Sequence, residues 1–269
     1  MLIMLANVLG ADGRNSGEVN LPEQFFEPVR PDLIRRAFHA QFTLRLQPKG
    51  AFPLAGMQTS AGYFGRRHQT RQTINTGRSR LPREKLPGGR LGQVRQVPHA
   101  VKGRRCHPPK PQKKLIEKIN FKEKNKAIRS AIAATASQQL VQERGHKYAG
   151  SLPLVVTESF EEIKRSTDAQ KTLETLGAGL DLRRAREGRR MRSGRARMRK
   201  GGYRTPKSVL IIYAKDQGIW RATRNLPGVN AVRVDKLDVE LLAPGGVPGR
   251  LAVWTKDAIE ELAAKKLYC

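Results

Sequence analysis

Residues 208–214, with the sequence SVLIIYA, form the clearest strand signal in this chain of 269 residues. A short, unbroken run of β-branched and aliphatic residues is typical of a strand that is buried on both faces, as strands of parallel sheets are. Shorter β-rich runs at residues 152–157, 229–234 and 250–254 repeat this signal, and residues 2–9 predict an opening strand. The chain is therefore expected to contain a parallel sheet.

Helical patterns separate these predicted strands. Pro31 suits the first turn of a helix, where its fixed φ is already helical and no N–H is needed. Asn120 and Glu123 match a capping box, and Thr255 is a candidate cap for the last helix. The predicted helices span residues 31–46, 121–143, 160–165, 168–176, 218–225, 239–242 and 256–267. Strands that alternate with helices predict an α/β fold with a three-layer αβα body, in which helices cover both faces of a mainly parallel sheet.

The positive charge of the chain is concentrated in two segments. The sequence holds 52 Lys and Arg residues against 23 Asp and Glu residues, which gives a formal net charge of +29. Residues 45–114 contribute +16 and residues 182–207 contribute +11, so the other residues are close to neutral. We therefore expect a globular body from residues 1–46 and 115–269, an extended arm over residues 47–114, and an Arg-rich loop over residues 182–207 within the body.

Both basic segments favour RNA as their partner. The arm is rich in Gly, Pro, Gln, Thr and Arg, and it cannot bury enough apolar surface to offset an ordering cost of about 1–2 kcal/mol per residue. Such a long insert is either functional or a disordered linker. The loop over residues 182–207 carries Arg with almost no acid to balance it, which is not typical of a solvated helix face. The guanidinium group of Arg suits phosphates and stacked bases.

Membrane, cofactor and catalytic functions are not indicated by the sequence. No apolar run approaches the roughly 20 residues of a spanning helix, and residues 1–9 predict a strand rather than a signal peptide. The GAG sequence at residues 177–179 lacks a third glycine and favours a turn that ends a helix over a dinucleotide loop. Cys106 and His107 are adjacent, which does not suit a zinc site, and Cys106 and Cys269 suit a reducing cytoplasm. We expect no metal, no cofactor, no small-molecule substrate and no catalytic residue.

Several stretches of the sequence carry a family resemblance. They are residues 30–37 (RPDLIRRA), 97–110 (VPHAVKGRRCHPPK), 129–135 (RSAIAAT), 144–146 (RGH), 152–156 (LPLVV), 241–245 (LLAPG), 249–251 (GRL) and 253–255 (VWT). In kind and order they resemble the family of large-subunit ribosomal protein four (uL4) in its archaeal and eukaryotic form. The long C-terminal extension of the eukaryotic form is missing, so the resemblance implies the archaeal form.

The resemblance implies a structural role in the large ribosomal subunit in the cytoplasm. In this family a long loop penetrates the rRNA, and its tip lines a narrow part of the peptide exit tunnel opposite ribosomal protein twenty-two. The implied tip residues here are Tyr63, Phe64, Arg66, Arg67 and His68, with arginines where the family usually has glycines. The implied partners are large-subunit rRNA, neighbouring ribosomal proteins including protein twenty-two, and the nascent peptide.

We expect rRNA contacts from basic side chains of both segments and from one aromatic ring in the second. The residues are Arg66, Arg67, Arg71, Arg78, Arg80, Arg83, Arg90, Arg95, Lys102, Arg104, Arg105, His107, Lys110, Arg189, Arg190, Arg192, Arg195, Arg197, Arg199, Lys200, Tyr203 and Arg204. Two other hypotheses remain. An RNA-modifying enzyme with a basic RNA-binding arm would need a cofactor loop or a polar catalytic cluster, and an architectural DNA-binding protein would bind duplex DNA as strongly as RNA.

Overall fold

The computed structural model describes residues 5–68, 72–199 and 201–269. By its internal contacts the chain divides into two compact units. The body unit comprises Met1–Arg45 and Ile116–Cys269, and the arm unit comprises Leu46–Leu115. Residues 2–4 of the predicted first strand lie outside the described residues.

Strands and helices alternate along the body unit, and the described residues of the arm unit contain a strand pair of their own. The strands of the described residues are β1 (Leu5–Leu9), β2 (Asn15–Asn20), β3 (Arg83–Lys85), β4 (Leu91–Val94), β5 (Leu154–Val156), β6 (Arg190–Met191), β7 (Tyr203–Arg204), β8 (Leu210–Tyr213), β9 (Asn230–Arg233) and β10 (Ala252–Thr255). The α-helices of the same residues are α1 (Pro31–Thr43), α2 (Phe121–Ala136), α3 (Gln138–Glu143), α4 (Ser166–Leu173), α5 (Gly179–Glu187), α6 (Arg195–Met198), α7 (Ile219–Thr223), α8 (Val239–Leu242) and α9 (Lys256–Ala264).

The predicted parallel sheet is confirmed. Within the described residues, six strands form one sheet in the order β2-β1-β5-β10-β8-β9. Only the β1–β2 pair in this sheet of described strands is antiparallel, and the other neighbours run parallel. Strand β8, from the SVLIIYA sequence, lies between β10 and β9, and its residues Leu210–Tyr213 are all buried.

Helices cover both faces of this sheet, as expected for three layers. On β8, Leu210 and Ile212 belong to one apolar cluster with residues of α1, α2, α8 and α9. Ile211 and Tyr213 belong to a second cluster with residues of α3, α4, α5 and α7. Burying each such side chain stabilises the fold by about 1.5–3 kcal/mol. Because β8 is buried on both faces, its side chains stabilise both apolar clusters. Neither cluster, as far as the described residues show, includes a residue of the arm unit.

The first strand differs from the prediction, because it belongs to a hairpin. Ala6 and Val8 are buried, whereas Leu5 is 60% exposed. The sequence predicts no strand between residue 9 and the helix that starts at Pro31, but β2 begins at Asn15 and pairs with β1. An edge strand with one solvent face needs few apolar residues, so its polar sequence concealed it.

The predicted capping box on residues 120–123 is wrong. Asn120 precedes α2, but its side chain makes no cap hydrogen bond. Glu123 instead forms an ion pair with Arg36 of α1 at 3.2 Å. The single helix expected over residues 121–143 is also broken at Ser137, whose backbone is extended.

Two other helix signals are confirmed. Pro31 occupies the first turn of α1. Thr255 Oγ1 accepts a hydrogen bond from the Ala258 N–H at 3.3 Å and so caps α9. The GAG sequence forms the junction between α4 and α5, where Gly177 has a φ of 86°. This left-handed backbone suits glycine and supports the predicted turn.

A buried arginine joins three parts of the body unit. Arg250 donates hydrogen bonds to the carbonyl oxygens of Ser208 (2.8 Å) and Leu241 (2.8 Å). It also donates to the Gly228 carbonyl (3.2 Å) and Asn230 Oδ1 (2.9 Å). Burial, together with the charge on Arg144, lowers the pKa of Arg250 to about 9, which leaves it charged at neutral pH. The GRL stretch of the sequence thus holds a structural residue.

Candidate nucleic-acid interface

The arm unit has a small local fold built on β3 and β4. Arg83 pairs with Val94 across this antiparallel ribbon, which is a sheet separate from that of the body unit. On its other side, Arg83 exchanges two backbone hydrogen bonds with Gly62, at 3.1 and 3.2 Å. Thr73 is the only buried side chain among the described residues of the arm unit. The arm unit is therefore ordered mainly by hydrogen bonds and not by an apolar core.

The two legs of the arm unit run beside each other. The Ala51 N–H donates to the Pro109 carbonyl at 3.0 Å. Gly56 has a φ of 79°, and a Cβ atom there would lie 2.6 Å from Arg104 Cα. Such an approach requires glycine, because any side chain would clash with the opposite backbone.

One of the implied tip residues, Phe64, is held in place by Thr73. The Phe64 N–H donates to Thr73 Oγ1 at 3.0 Å, and the Thr73 N–H donates to the Phe64 carbonyl at 3.0 Å. Lys85 Nζ lies 4.5 Å from the centroid of the Phe64 ring. Tyr63 is 42% exposed. The three basic residues that follow are exposed as well, namely Arg66, Arg67 and His68.

Most of the predicted RNA-binding side chains of the arm unit face solvent. The exposed ones are Arg66, Arg67, Arg78, Arg80, Arg90, Lys102, Arg104, Arg105, His107 and Lys110. Exposed guanidinium groups on an ordered backbone can bind phosphates without first breaking internal contacts.

Arg78, Arg83 and Arg95 are different, because each is engaged inside the arm unit; Arg78 stays exposed, but its Nη1 donates to the Leu91 carbonyl at 3.0 Å. Arg95 Nε forms an ion pair with Glu84 at 2.7 Å, and Arg95 Nη1 donates to the Val101 carbonyl at 2.7 Å. Arg83 Nη2 donates to Ser79 Oγ at 2.8 Å. Glu84 is the single acidic residue between positions 45 and 114, so the sequence indicates an ion-pair partner within the arm but not which arginine pairs with it.

The second basic segment forms a short hairpin, called here the basic hairpin (residues 189–204). Strands β6 and β7 pair Arg190 with Arg204 and Met191 with Tyr203. The Arg192 N–H donates to the Gly202 carbonyl at 2.7 Å, and α6 forms the turn. The predicted loop over residues 182–207 therefore begins inside α5 and contains regular structure.

The basic hairpin presents its charges outward. Arg189, Arg190, Arg192, Arg195, Arg197, Arg199 and Arg204 are exposed. Arg189 lies over the ring of Tyr203, with 4.5 Å between Cζ and the ring centroid. Arg190 and Arg204 stand opposite each other, and like charges at such a position repel. A phosphate between them would remove this repulsion.

A buried carboxylate lies at the base of the basic hairpin. Asp181 Oδ2 accepts from Ser208 Oγ at 2.6 Å and lies 3.1 Å from His146 Nδ1. Asp181 Oδ1 accepts from Arg184 Nε at 2.8 Å and from the Lys147 N–H at 3.2 Å. Sequence reasoning did not single out Asp181, because one acidic residue before an Arg-rich run has no distinctive spacing.

The charges in this cluster are fixed by their surroundings. Burial alone would raise the pKa of Asp181, but hydrogen bonds from His146, Arg184 and Ser208 outweigh it and hold the pKa well below its usual range. Burial lowers the pKa of His146, although its bond to Asp181 acts in the opposite direction. At neutral pH Asp181 is therefore ionised, and its carboxylate pairs with the guanidinium group of Arg184.

A buried carboxylate, Glu161, lies at the carboxyl ends of the parallel strands, where open α/β sheets hold ligands. Glu161 Oε1 accepts from Thr255 Oγ1 at 2.6 Å and from the Ala214 N–H at 2.9 Å. Glu161 Oε2 accepts from the Lys215 N–H at 3.1 Å. Glu161 is therefore committed to holding β8 and β10 together.

Two predicted RNA-binding residues, Arg71 and Lys200, lie outside the described residues. Within the part of the chain that the structure describes, no group of three or more His, Cys, Asp or Glu side chains is placed to hold a metal ion. None of the helices in the described ranges is both long and apolar enough to cross a bilayer.

Comparison with known proteins gives a consistent result. The model of the family described as "Ribosomal protein L4/L1 family" matches residues 19–265. The large ribosomal subunit protein uL4 of Archaeoglobus fulgidus is 48% identical over 259 residues, which are 96% of this chain and 98% of the relative. The protein of the same name from Methanocaldococcus jannaschii is 46% identical over 260 residues, with the same coverage. That of Pyrobaculum aerophilum is 45% identical over 258 residues, covering 95% of this chain and 88% of the relative.

Proposed function

Because the chain belongs to the ribosomal protein L4/L1 family, we propose that it is a structural constituent of the large ribosomal subunit. The three relatives compared above are archaeal, which agrees with the expected archaeal form. The family consists of ribosomal structural proteins and not of enzymes, so the chain works in the ribosome of the cytoplasm and catalyses no reaction.

The observation that carries this function is that the excess positive charge lies in segments that do not form the apolar core. The apolar clusters of the body unit explain its stability, whereas the excess of positive charge lies in the arm and in the segment that contains the basic hairpin. Phosphate contacts supply most of the affinity of such proteins for RNA. Large-subunit rRNA is therefore the partner, and neighbouring ribosomal proteins complete the surroundings.

The exposed basic residues of the arm unit and the basic hairpin are proposed as the rRNA contacts. Their guanidinium groups bind phosphates, while Tyr203, with Arg189 over its ring, offers a stacking surface for an unpaired base. Arg83 and Arg95 support the arm from within and contribute less to rRNA affinity.

The tip of the arm is proposed to line the peptide exit tunnel. Tyr63 and the exposed run of Arg66, Arg67 and His68 adjoin the anchored Phe64, so this part of the arm combines a fixed backbone with free side chains. In this position the tip faces ribosomal protein twenty-two and the nascent peptide. Arginines at the tip give the tunnel wall a positive charge.

Co-sedimentation tests the ribosomal role. A tagged copy of the full chain expressed in an archaeal host should sediment with large subunits through a moderate-salt wash, because buried phosphate contacts are screened less than exposed ones. Recovery of the tagged chain only from the soluble pool would refute the proposal. Equal affinity of the purified chain for rRNA and duplex DNA would favour the architectural DNA-binding hypothesis instead.

A further inference from the structure

Asp181 contacts both ends of the segment that forms the basic hairpin. Arg184 precedes the hairpin and Ser208 follows it, and both donate to the carboxylate of Asp181, at 2.8 and 2.6 Å. The Asp181 side chain is fully buried, whereas the described arginines of the hairpin are exposed. One carboxylate therefore ties the entry of the hairpin to its exit.

Two further contacts close the same base. Arg184 Nη2 donates to the Lys207 carbonyl at 2.8 Å, which crosses directly from one end to the other. A Cβ atom on Gly188 would lie 2.7 Å from Pro206 Cγ, so the backbone of Gly188 packs closely against the Pro206 ring. The base is consequently closed by packing and by two charge-assisted hydrogen bonds, one from Ser208 to Asp181 and one from Arg184 to the Lys207 carbonyl.

The basic hairpin has little to hold it in place by itself. Its two strands have two residues each, and an isolated two-stranded hairpin is marginally stable. The opposed residues Arg190 and Arg204 repel each other. The direction in which the hairpin projects must therefore be set largely at its base.

We propose that Asp181 is a positioning residue for RNA binding, which acts by holding the basic hairpin closed and oriented before RNA arrives. The proposal rests on the proposed function, since it takes the hairpin to contact rRNA. A preformed hairpin loses less conformational freedom on binding, so the apparent affinity rises with the fraction of molecules that hold the competent arrangement.

Substitution of Asp181 gives a test in which electrostatics and positioning predict opposite changes in rRNA affinity. Asp181→Asn and Glu187→Gln each remove one negative charge from α5, but Glu187 is exposed and bonded only to Arg183 among the described residues. Charge alone predicts that both variants bind deproteinised large-subunit rRNA more tightly. The positioning role predicts that D181N binds rRNA about tenfold more weakly, because the fraction of molecules with a binding-competent hairpin falls to about one tenth. E187Q should not bind more weakly.

Ser208→Ala keeps the test valid if D181N does not fold. This variant changes no charge and leaves the Asp181–Arg184 pair in place. Its rRNA affinity should fall in the same direction as that of D181N, and amide hydrogen exchange in residues 189–204 should become faster, while the melting of the body changes little. An rRNA affinity of D181N equal to that of E187Q, or unchanged exchange in S208A, would overturn the proposal.

A chain in which a short Gly-Ser linker replaces residues 190–204 separates this proposal from the proposed function. D181N should have no effect on rRNA affinity in that background, because the element it positions is gone. An equal loss with and without the hairpin would overturn the positioning role. If the replacement itself leaves rRNA affinity unchanged, the hairpin does not contact RNA, and that part of the proposed function fails independently of the exchange result.

Discussion

At the scale of single residues, the buried charges explain motifs that the sequence shows but does not interpret. Arg250 of the GRL stretch and Arg144 of the RGH stretch both donate to backbone carbonyls, and Arg144 Nη2 reaches the Pro244 oxygen at 2.5 Å. Burial lowers the pKa of Arg144 to about 10, so it too is charged at neutral pH. These arginines hold loops around β10.

Arg250→Lys should lower the free energy of unfolding by about 2–3 kcal/mol. A lysine has no planar fork, so it cannot reach the carbonyl groups on both sides of Arg250, and buried acceptors are left without donors. Urea denaturation of the full chain measures the change. Arg221→Lys, on the exposed side of α7, is the matched control and should shift the value by no more than about 0.5 kcal/mol. Equal stability of the two variants would show that the bonds of Arg250 are dispensable.

At the scale of elements, sequence patterns predict the apolar strands and miss the polar ones. Strand β8 was identified because every position is buried. Strand β2 was missed, since only Val19 of its six residues is buried. The basic hairpin was missed as a structure for a similar reason, because its order depends on Asp181 and Ser208, which no local pattern connects.

The candidate interface follows the same division. That Arg and Lys of two segments face solvent was predictable from composition, because no apolar partner residues accompany them. Which arginines turn inward was not, since Arg83 and Arg95 bond to Ser79 and Glu84 through the pairing of β3 with β4.

Deletion of residues 60–85 should leave the body unit folded. Neither apolar cluster contains a described residue of this segment, so its removal takes away no core contact. The melting temperature of the deletion variant, followed by circular dichroism, should lie within a few degrees of that of the full chain. Loss of the cooperative melt would show instead that the arm unit contributes to the stability of the body.

At the scale of the whole molecule, a nearly neutral fold carries two strongly basic elements. Residues Leu46–Leu115 hold 16 basic side chains and one acidic side chain. The chain leaves the body unit after α1 and re-enters it before α2. These two points lie close together, since the Glu117 N–H donates to Thr43 Oγ1 at 3.1 Å. A short linker can therefore replace the arm without pulling α1 and α2 apart.

The most direct test of this account is the affinity for deproteinised large-subunit rRNA at 50 and 200 mM salt. It compares the full chain with a chain in which short Gly-Ser linkers replace residues 47–114 and 190–204. The full chain should lose about a thousandfold or more in affinity between the two salt concentrations, as a protein with many phosphate contacts does. The shortened chain should stay folded and bind at least about a hundredfold more weakly at 50 mM. Equal affinity and equal salt dependence of the two chains would contradict the claim that the two basic elements carry RNA binding.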